Sequence, residues 1–151
     1  MALGGVMSIE ILRKTLTGKT APLKGLTVAI EGLGNAGKHV ATTMVQKGAT
    51  IVGVSDSRGA VLQPDGFTRE ELAVILVHKN AGRRLDTLLS SSAARGLSTR
   101  AGQAITFHPE PHRLKDLPAD ILVLAAIPGS VQAEDAARLR VRIVCELAGV
   151  A

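Results

Sequence analysis

One stretch constrains the fold of this chain more than any other, namely residues 27–37, in which an apolar run ends in closely spaced glycines. The run is rich in strand-forming residues, and Gly32, Gly34 and Gly37 are followed by residues 38–41, which favour a helix. In such a strand–turn–helix unit, the first glycine permits the sharp turn, the second lets a phosphate approach the backbone, and the third lets the helix pack on the strand. The free N–H groups at the start of the helix then face the anion. The sequence therefore predicts a loop that binds the pyrophosphate of a dinucleotide.

The composition indicates what kind of core surrounds this loop. The chain has 151 residues, of which 46% are apolar and 21% charged, with two Phe and no Tyr or Trp. The core must therefore consist of Val, Ile, Leu and Ala, which suits parallel strands that helices bury on both faces. We expect a Rossmann-like, doubly wound α/β fold in truncated form, with a mainly parallel sheet and helices on both faces. Residues 1–151 are expected to form a single dinucleotide-binding domain, with 1–24 as its N-terminal helix and linker.

Charge and cysteine content narrow the possible partners. The formal net charge is +5, but the 18 Lys and Arg residues are dispersed, and no aromatic residues are interleaved with them to stack on bases. We therefore expect no nucleic-acid partner.

The single cysteine, Cys145, allows no disulfide within the chain and favours a reducing compartment. No apolar run is long enough to span a membrane, so we expect a cytoplasmic protein without a membrane partner.

The second strand of the predicted unit ends in an acid. A helix expected at 36–47 leads to a strand at 49–54, and Ser55 and Asp56 follow that strand. Asp56 lies about 20 residues beyond the last glycine, where an acidic residue hydrogen-bonds the adenosine ribose hydroxyls. The alternative is that Asp56 only caps a turn, because aspartate is common in turns.

The two residues after this acid bear on the choice of cofactor. Ser57 and Arg58 come directly after Asp56, and an arginine in this position can neutralise a 2′-phosphate. NAD and NADP therefore both stay open as cofactors on these residues alone.

Further helices are indicated by apolar spacing or by capping residues. Residues 6–16 carry apolar side chains at helical spacing. A Thr-x-x-Glu capping box at 68–71 begins a helix that ends near 80–82. A short helix followed by a polar loop is expected within 83–99, and another helix at 132–138.

The remaining strands are indicated by apolar runs. A small strand is expected at 104–107, and the continuous run at 121–126 is typical of a central parallel strand. Its small terminal residues, Ala125 and Ala126, leave room for a ligand at the carboxyl edge of the sheet. A last strand is expected at 141–146.

One cluster could be interpreted as a metal site. His108, Glu110 and His112 lie close together in the sequence, but Pro109 and Pro111 predict an extended loop instead of a helix face. No further ligand is evident nearby, so we expect no metal.

With these segments in place, the chain resembles the C-terminal, cofactor-binding domain of the glutamate/leucine/phenylalanine/valine dehydrogenase family. The matching segments are 24–37, 48–49, 54–60, 64–66, 119–126 and 143–146. The most specific are the Gly-Asn-x-Gly end of the glycine loop and the Ser-Asp-Ser-x-Gly after the second strand. The resemblance implies an oxidoreductase domain that binds NAD, with NADP as an alternative. The residues expected to contact the cofactor are Gly32, Leu33, Gly34, Asn35, Ala36, Gly37, Asp56, Ser57, Arg58, Ala125 and Ala126.

The same family uses features that this sequence does not provide. A preceding substrate domain supplies a catalytic Lys in a Lys-Gly-Gly setting and a catalytic Asp, and an Asn after the last strand holds the nicotinamide amide. We expect no catalytic residue in this chain, and residues 147–151 contain no Asn.

Three functions follow from these features. The first is a module that binds NAD(H) or NADP(H) without catalysing hydride transfer alone. The second is the cofactor-binding part of a split amino-acid dehydrogenase, completed by a separate substrate-domain chain, or a fragment of such an enzyme. The third is a non-catalytic structural or regulatory relative. A homo-oligomer is compatible with each of them.

Overall fold

The computed structural model describes residues 6–7, 24–90, 105–125 and 143–146. Its strands are β1 (Val6–Met7), β2 (Thr27–Glu31), β3 (Thr50–Asp56), β4 (Gly59–Leu62), β5 (Thr106–His108), β6 (Ile121–Leu124) and β7 (Ile143–Glu146). Its helices are α1 (Asn35–Gln46), α2 (Arg69–Asn80) and the 3₁₀ segments Leu85–Thr87 and Pro111–Asp116. The helix predicted at 132–138, the polar loop beyond residue 90, and Ala126 lie outside the described residues.

The described strands form one mixed, mostly parallel sheet. Its seven strands lie in the order β1-β7-β6-β2-β3-β4-β5. The four pairs from β1 to β3 are parallel, whereas β4 is antiparallel to both β3 and β5. Strand β2 pairs with β3 on one side and with β6 on the other, so the order of the strands reverses at β2. In α/β sheets of this kind, ligands bind outside the carboxyl ends of the strands at such a reversal.

Both faces of the sheet are buried, as the composition predicts. On the first face, Val28 and Ile30 of β2 pack with Val40 and Met44 of α1 and with Ile75 of α2. The second face is covered by the 3₁₀ segment Pro111–Asp116. Its core cluster consists of Ala29, Val52, Ala60, Leu62, Leu114, Leu117, Ala119, Leu122, Leu124 and Val144. The Rossmann-like α/β fold is confirmed.

The two long helices begin for different local reasons. Helix α1 has Gly34 as its N-cap, which offers no side-chain hydrogen bond. Helix α2 has the predicted capping box, in which Thr68 Oγ1 accepts from the Glu71 N–H at 3.0 Å and Glu71 Oε1 accepts from the Thr68 N–H at 2.8 Å. Both helices agree closely with their predicted bounds. The first turn of α1 has backbone N–H groups without a side-chain acceptor, whereas the capping box supplies such an acceptor in the first turn of α2.

Two predictions of local structure, for residues 6–7 and for residues 111–112, are wrong. Residues 6 and 7 do not begin a helix but form β1, because they pair in parallel with β7 at the edge of the sheet. The small strand predicted at 104–107 is present as β5, which the structure describes from Thr106 to His108. Pro111 and His112 begin a 3₁₀ segment instead of lying in an extended loop, since proline is well suited to the first position of a helix. Within the described part of the chain, no helix is long and apolar enough to cross a membrane.

Candidate functional site

A cleft of about 710 Å³ opens at the carboxyl ends of β2 and β3. A volume of this size is within the range of small-molecule and cofactor sites. The residues that line the cleft are Glu31, Gly32, Leu33, Gly34, Ser55, Asp56, Ser57, Lys79, Pro111, His112, Lys115 and Ala125. Six of these twelve belong to the predicted cofactor set, namely Gly32, Leu33, Gly34, Asp56, Ser57 and Ala125.

The glycine loop is held in its turn by backbone geometry. Gly32 has a φ of +94°, which side chains rarely allow, and its N–H donates to the carbonyl oxygen of Ser55 at 2.9 Å. A Cβ added to Gly37 would overlap the carbonyl oxygen of Gly32. Glycine at position 37 therefore lets the first turn of α1 pack directly on the end of β2.

Gly34 has a different environment. Its φ of −74° is open to any residue, and a Cβ added there would meet nothing within 4 Å. Gly34, Asn35 and Ala36 are all exposed, and the first turn of α1 contains no acidic residue. The N–H groups at the start of α1 thus have no side-chain cap, and this is the arrangement in which a helix binds an anion.

Asp56 lies in the cleft at the end of β3 and has partners within the protein. Its Oδ2 accepts from Lys79 Nζ and from the Leu85 N–H, each at 2.8 Å, and its Oδ1 accepts from the Arg58 N–H at 2.9 Å. Burial alone would raise the pKa of Asp56, but the hydrogen bond from Lys79 and those from the two N–H groups outweigh it, so the pKa of this carboxyl lies below its usual range. Asp56 is therefore ionised at neutral pH and its charge is balanced locally by Lys79.

Residues 57 and 58 differ in their relation to the cleft. Ser57 lines it, whereas Arg58 is exposed beside it and contributes its backbone N–H to Asp56. The turn from β3 to β4 is thus stabilised by Asp56 itself. The alternative interpretation, in which Asp56 caps a turn, therefore accounts for the hydrogen bond that Asp56 accepts from the Arg58 N–H.

The opposite side of the cleft is polar. Glu31 and Ser55 are register partners on β2 and β3, and strand alternation directs both toward the face covered by the segment Pro111–Asp116. Lys115 Nζ lies 3.7 Å from Glu31 Oε2, and Pro111 and His112 complete this side. We refer to Glu31, Ser55, Pro111, His112 and Lys115 as the second wall of the cleft.

The family model described as Glutamate/Leucine/Phenylalanine/Valine dehydrogenase matches residues 2–150 of the chain. The chain belongs to this family. It has the fold of an amino-acid dehydrogenase domain, and its glycine loop and Asp56 occupy the two adjacent strand ends of one cleft.

Several glutamate dehydrogenases are similar to this member of the family. The chain is 35% identical over 124 residues to a glutamate dehydrogenase of Aeropyrum pernix, covering 82% of this chain and 25% of the relative. It is 32% identical to an NADP-specific glutamate dehydrogenase of Emericella nidulans, over 87% of this chain and 27% of the relative. It is also 32% identical to an NAD-specific glutamate dehydrogenase of Staphylococcus aureus, over 97% of this chain and 30% of the relative.

A solved structure gives the same result for the fold. The structure of the hetero-hexameric glutamate dehydrogenase from Thermus thermophilus in its Leu-bound form superposes with a TM-score of 0.63 at 26% identity, covering 97% of this chain and 29% of that chain. The chain therefore spans between a quarter and a third of the length of the dehydrogenases it matches.

Half of the residues that line this cleft were not identified from the sequence. Lys79 comes from the last turn of α2, and Glu31, Pro111, His112 and Lys115 belong to the second wall. A signal existed for Glu31, which is a charged residue that directly follows the buried run of β2. Lys79 carried a weaker signal as a basic residue in the last turn of a capped helix.

Proposed function

We propose that this cleft binds the adenosine diphosphate part of a nicotinamide dinucleotide, so that the chain acts as the C-terminal cofactor-binding domain of an amino-acid dehydrogenase. The observation that carries the proposal is that an uncapped helix start at Gly34 and an ionised carboxylate at Asp56 share one cleft. The two groups suit the two halves of the ligand, because the helix start attracts a pyrophosphate and a carboxylate accepts from ribose hydroxyls. The family's relatives include both NAD-specific and NADP-specific glutamate dehydrogenases.

The pyrophosphate is assigned to the loop from Gly32 to Gly37. A Cβ at position 34 would meet nothing within 4 Å in the free protein, so packing alone does not require a glycine there. A pyrophosphate that approaches the backbone at this position gives a reason for the glycine. Asn35 and Ala36 add exposed backbone N–H groups at the positive end of the α1 dipole. A dinucleotide bound there supplies a nicotinamide ring that accepts or releases hydride.

The ribose is assigned to Asp56, and Lys79 bears on which cofactor is accepted. A carboxylate without a partner would repel the 2′-phosphate of NADP, but here Lys79 Nζ lies 2.8 Å from Oδ2. Three internal donors still leave acceptor capacity on the carboxylate for a ribose hydroxyl. We therefore assign NAD as the cofactor, with NADP tolerated through Lys79 and the exposed Arg58.

The reaction is assigned by family membership. The protein to which this domain belongs is proposed to be an NAD(P)-dependent amino-acid dehydrogenase, and no residue of the described part is assigned as a catalytic acid or base. Ala125 lines the cleft, and its N–H donates to the Glu31 carbonyl oxygen at 2.8 Å, which places the end of β6 beside the glycine loop.

Calorimetric titration with ADP-ribose, NAD and NADP tests the proposal. All three ligands are expected to bind, and similar affinities for ADP-ribose and NAD would show that the nicotinamide end adds no net affinity. If none of them gives a heat of binding at roughly millimolar concentration, the proposed function is wrong and a non-catalytic structural or regulatory role becomes the better hypothesis.

Assembly is a second property proposed for this chain. The solved relative from Thermus thermophilus is hetero-hexameric. We assign an oligomeric state to the protein on that basis, and light scattering at several concentrations tests it. A mass that stays that of a single chain at every concentration would contradict the assignment.

A further inference from the structure

We propose that His78 is a positioning residue for the carboxylate of Asp56, because its ring holds the backbone segment that donates a hydrogen bond to that carboxylate. This inference rests on the proposed function, in which Asp56 binds the adenosine ribose of the dinucleotide. His78 is not among the residues that line the cleft. Its effect on the ligand is therefore assigned to Asp56 and not to a contact of its own.

His78 is a polar side chain on the buried face of α2. It is only 3% exposed and shares this face with Leu72 and Ile75, which pack in the apolar core. An apolar side chain of similar size would also fill this position, so packing alone gives no reason for an imidazole. Buried polar groups are hydrogen-bonded, and the partners of this ring indicate what it does.

The partners of this ring belong to the segment that follows α2. Nε2 of His78 lies 2.9 Å from the carbonyl oxygen of Arg84 and 3.1 Å from Oγ1 of Thr87. A carbonyl oxygen can only accept, so Nε2 carries a proton and donates to Arg84. Thr87 Oγ1 donates to the same carbonyl oxygen at 2.8 Å. Two side chains thus hold the carbonyl end of the peptide group that joins Arg84 to Leu85.

The other end of this peptide group contacts the candidate ribose site. Its N–H belongs to Leu85 and donates to Asp56 Oδ2 at 2.8 Å. The carbonyl oxygen and the N–H lie at opposite ends of one rigid plane, so a hydrogen bond at one end restrains the direction of the other. His78 and Asp56 therefore bind the two ends of a single peptide plane.

Packing fixes this peptide plane less firmly than it fixes the neighbouring side chain. The Leu85 side chain is fully buried, but a peptide plane can still tilt about the backbone dihedral angles on either side of it. Residues 81–84, which precede it, are all exposed. The direction of the Leu85 N–H therefore depends on the hydrogen bonds that the Arg84 carbonyl accepts.

The direction of this N–H decides which acceptor sites of Asp56 stay open. A carboxylate has about four acceptor sites, and Lys79 Nζ and the Leu85 N–H occupy those of Oδ2. Oδ1 accepts from the Arg58 N–H, which leaves an acceptor site on Oδ1 for a ribose hydroxyl. Loss of the Leu85 hydrogen bond would let the carboxylate turn, and the hydroxyl would then meet an acceptor without a fixed direction.

The test compares ADP with 2′,3′-dideoxy-ADP, which lacks the ribose hydroxyls, in calorimetric titrations of the whole chain. The wild type is expected to bind ADP at least about tenfold more tightly, because a hydrogen bond to a carboxylate is a strong one. His78→Leu removes the donor and keeps an apolar side chain of similar size, and it should reduce this preference to about threefold or less. A purely structural role would lower both affinities together and leave the preference unchanged.

Two further variants and a control assign the effect to the hydrogen bond. His78→Gln supplies an amide N–H that can reach the Arg84 carbonyl, so it should restore most of the preference for ADP. Thr87→Val removes the second donor to this carbonyl at an exposed residue and should reduce the preference in part. His108→Leu is the matched control, because His108 does not line the cleft and its ring bonds to Thr106.

A second measurement needs no ligand. Burial raises the pKa of Asp56, while the hydrogen bonds from Lys79 and the Leu85 N–H lower it. The pKa of the Asp56 carboxyl, followed by NMR during acid titration, should therefore rise in His78→Leu and return toward the wild-type value in His78→Gln. An unchanged pKa in folded His78→Leu would show that the ring does not hold the Leu85 N–H on Asp56, and the inference would be wrong.

The binding results separate this inference from the proposed function. If neither nucleotide binds to the wild type, the proposed function fails and the role of His78 fails with it. If the wild type prefers ADP and both His78→Leu and Thr87→Val keep the full preference, positioning by His78 is wrong and the proposed function stands. Thermal unfolding shows which variants are folded, and should His78→Leu not fold, Thr87→Val decides the outcome.

Discussion

Lys79 Nζ lies 2.8 Å from Oδ2 of Asp56, where the end of helix α2 meets the end of strand β3. The two side chains are 15% and 9% exposed, so the pair is shielded from most of the solvent. The acid that the sequence assigns to a ribose is therefore one partner in a local ion pair. This arrangement makes Asp56 a structural residue as well as the residue proposed to bind the ribose, and it is expected to affect how the cleft accepts the second phosphate of NADP.

Replacing Lys79 is expected to change cofactor preference. In Lys79→Gln, the Asp56 carboxylate loses its balancing charge, and the affinity for NADP should fall about tenfold relative to NAD. Competition between the two cofactors in calorimetric titrations measures this ratio. Lys47→Gln is the matched control, since Lys47 is exposed at the other end of α1. A parallel fall for both cofactors would show that Lys79 does not discriminate between them.

Replacing Asp56 is expected to affect both stability and binding. Asp56→Asn removes the ion pair and weakens hydrogen bonds from Lys79, Leu85 and Arg58, so the free energy of unfolding should fall by about 1–3 kcal/mol. The affinity for NAD should fall as well, because the ribose loses a charged acceptor. Urea unfolding and calorimetry measure the two effects, with the exposed Asp65→Asn as control. A loss of stability with unchanged NAD affinity would leave Asp56 only its structural role.

The lowered pKa of Asp56 predicts a dependence of stability on pH. A carboxyl whose pKa is lower in the folded protein stabilises it above the unfolded pKa, near 3.9, and that contribution is lost as pH falls through the folded pKa. The stability difference between the wild type and Asp56→Asn should therefore be constant near neutrality and shrink below about pH 4. Urea midpoints measured from neutral to acid pH test this. A difference that grows on acidification would contradict the direction of the pKa shift.

Substitution of Gly34 by alanine is expected to weaken ligand binding without lowering stability, whereas the same substitution at Gly37 is expected to lower stability. Gly34→Ala adds a Cβ where nothing lies within 4 Å, so the stability should change by less than about 0.5 kcal/mol. Its affinity for ADP-ribose should nevertheless fall roughly tenfold, because the methyl group enters the space assigned to the pyrophosphate. Calorimetry on the folded variant measures this loss. Wild-type affinity in Gly34→Ala would remove the pyrophosphate from this position.

Gly37→Ala should instead damage the fold. The added Cβ overlaps the carbonyl oxygen of Gly32, and backbone at both ends of the loop has to move. The expected loss of stability is about 1–3 kcal/mol, as for other overpacked sites. Thermal unfolding compares it with Gly34→Ala, and equal stability of the two variants would contradict the close packing of α1 on β2.

Asp120 is expected to matter for stability alone. Its Oδ2 accepts from the Thr27 N–H at 2.9 Å and from Thr27 Oγ1 at 3.2 Å, which ties the start of β2 to the residue before β6. Asp120→Ala should lower the free energy of unfolding by about 1–3 kcal/mol. The affinity for ADP-ribose should not change, because this pair lies at the amino ends of the strands and the cleft at their carboxyl ends. Asp65→Ala again provides the exposed control, and weaker binding by folded Asp120→Ala would show coupling between the two edges.

Local patterns allowed the central part of the fold to be predicted. The strand–turn–helix unit around Gly32, the helix begun by Thr68 and the apolar run of β6 depend on residues that are neighbours in the chain. The prediction for residues 6–16 was wrong at its start for the opposite reason, because Val6 and Met7 pair with a strand from the far end of the chain. Backbone pairing at a sheet edge outweighed a local helical pattern there.

The sequence by itself determined the α/β class, the glycine loop and the position of an acid at the next strand end, since turn geometry, capping and apolar periodicity are local properties. Only the tertiary structure decided what that acid does. Lys79 and the Leu85 N–H come from 23 and 29 residues further along the chain, and packing of α2 beside β3 brings them to Asp56. The second wall likewise forms only because the segment Pro111–Asp116 packs over the second face of the sheet and brings Lys115 beside Glu31. No spacing in the sequence indicates that these two residues are close.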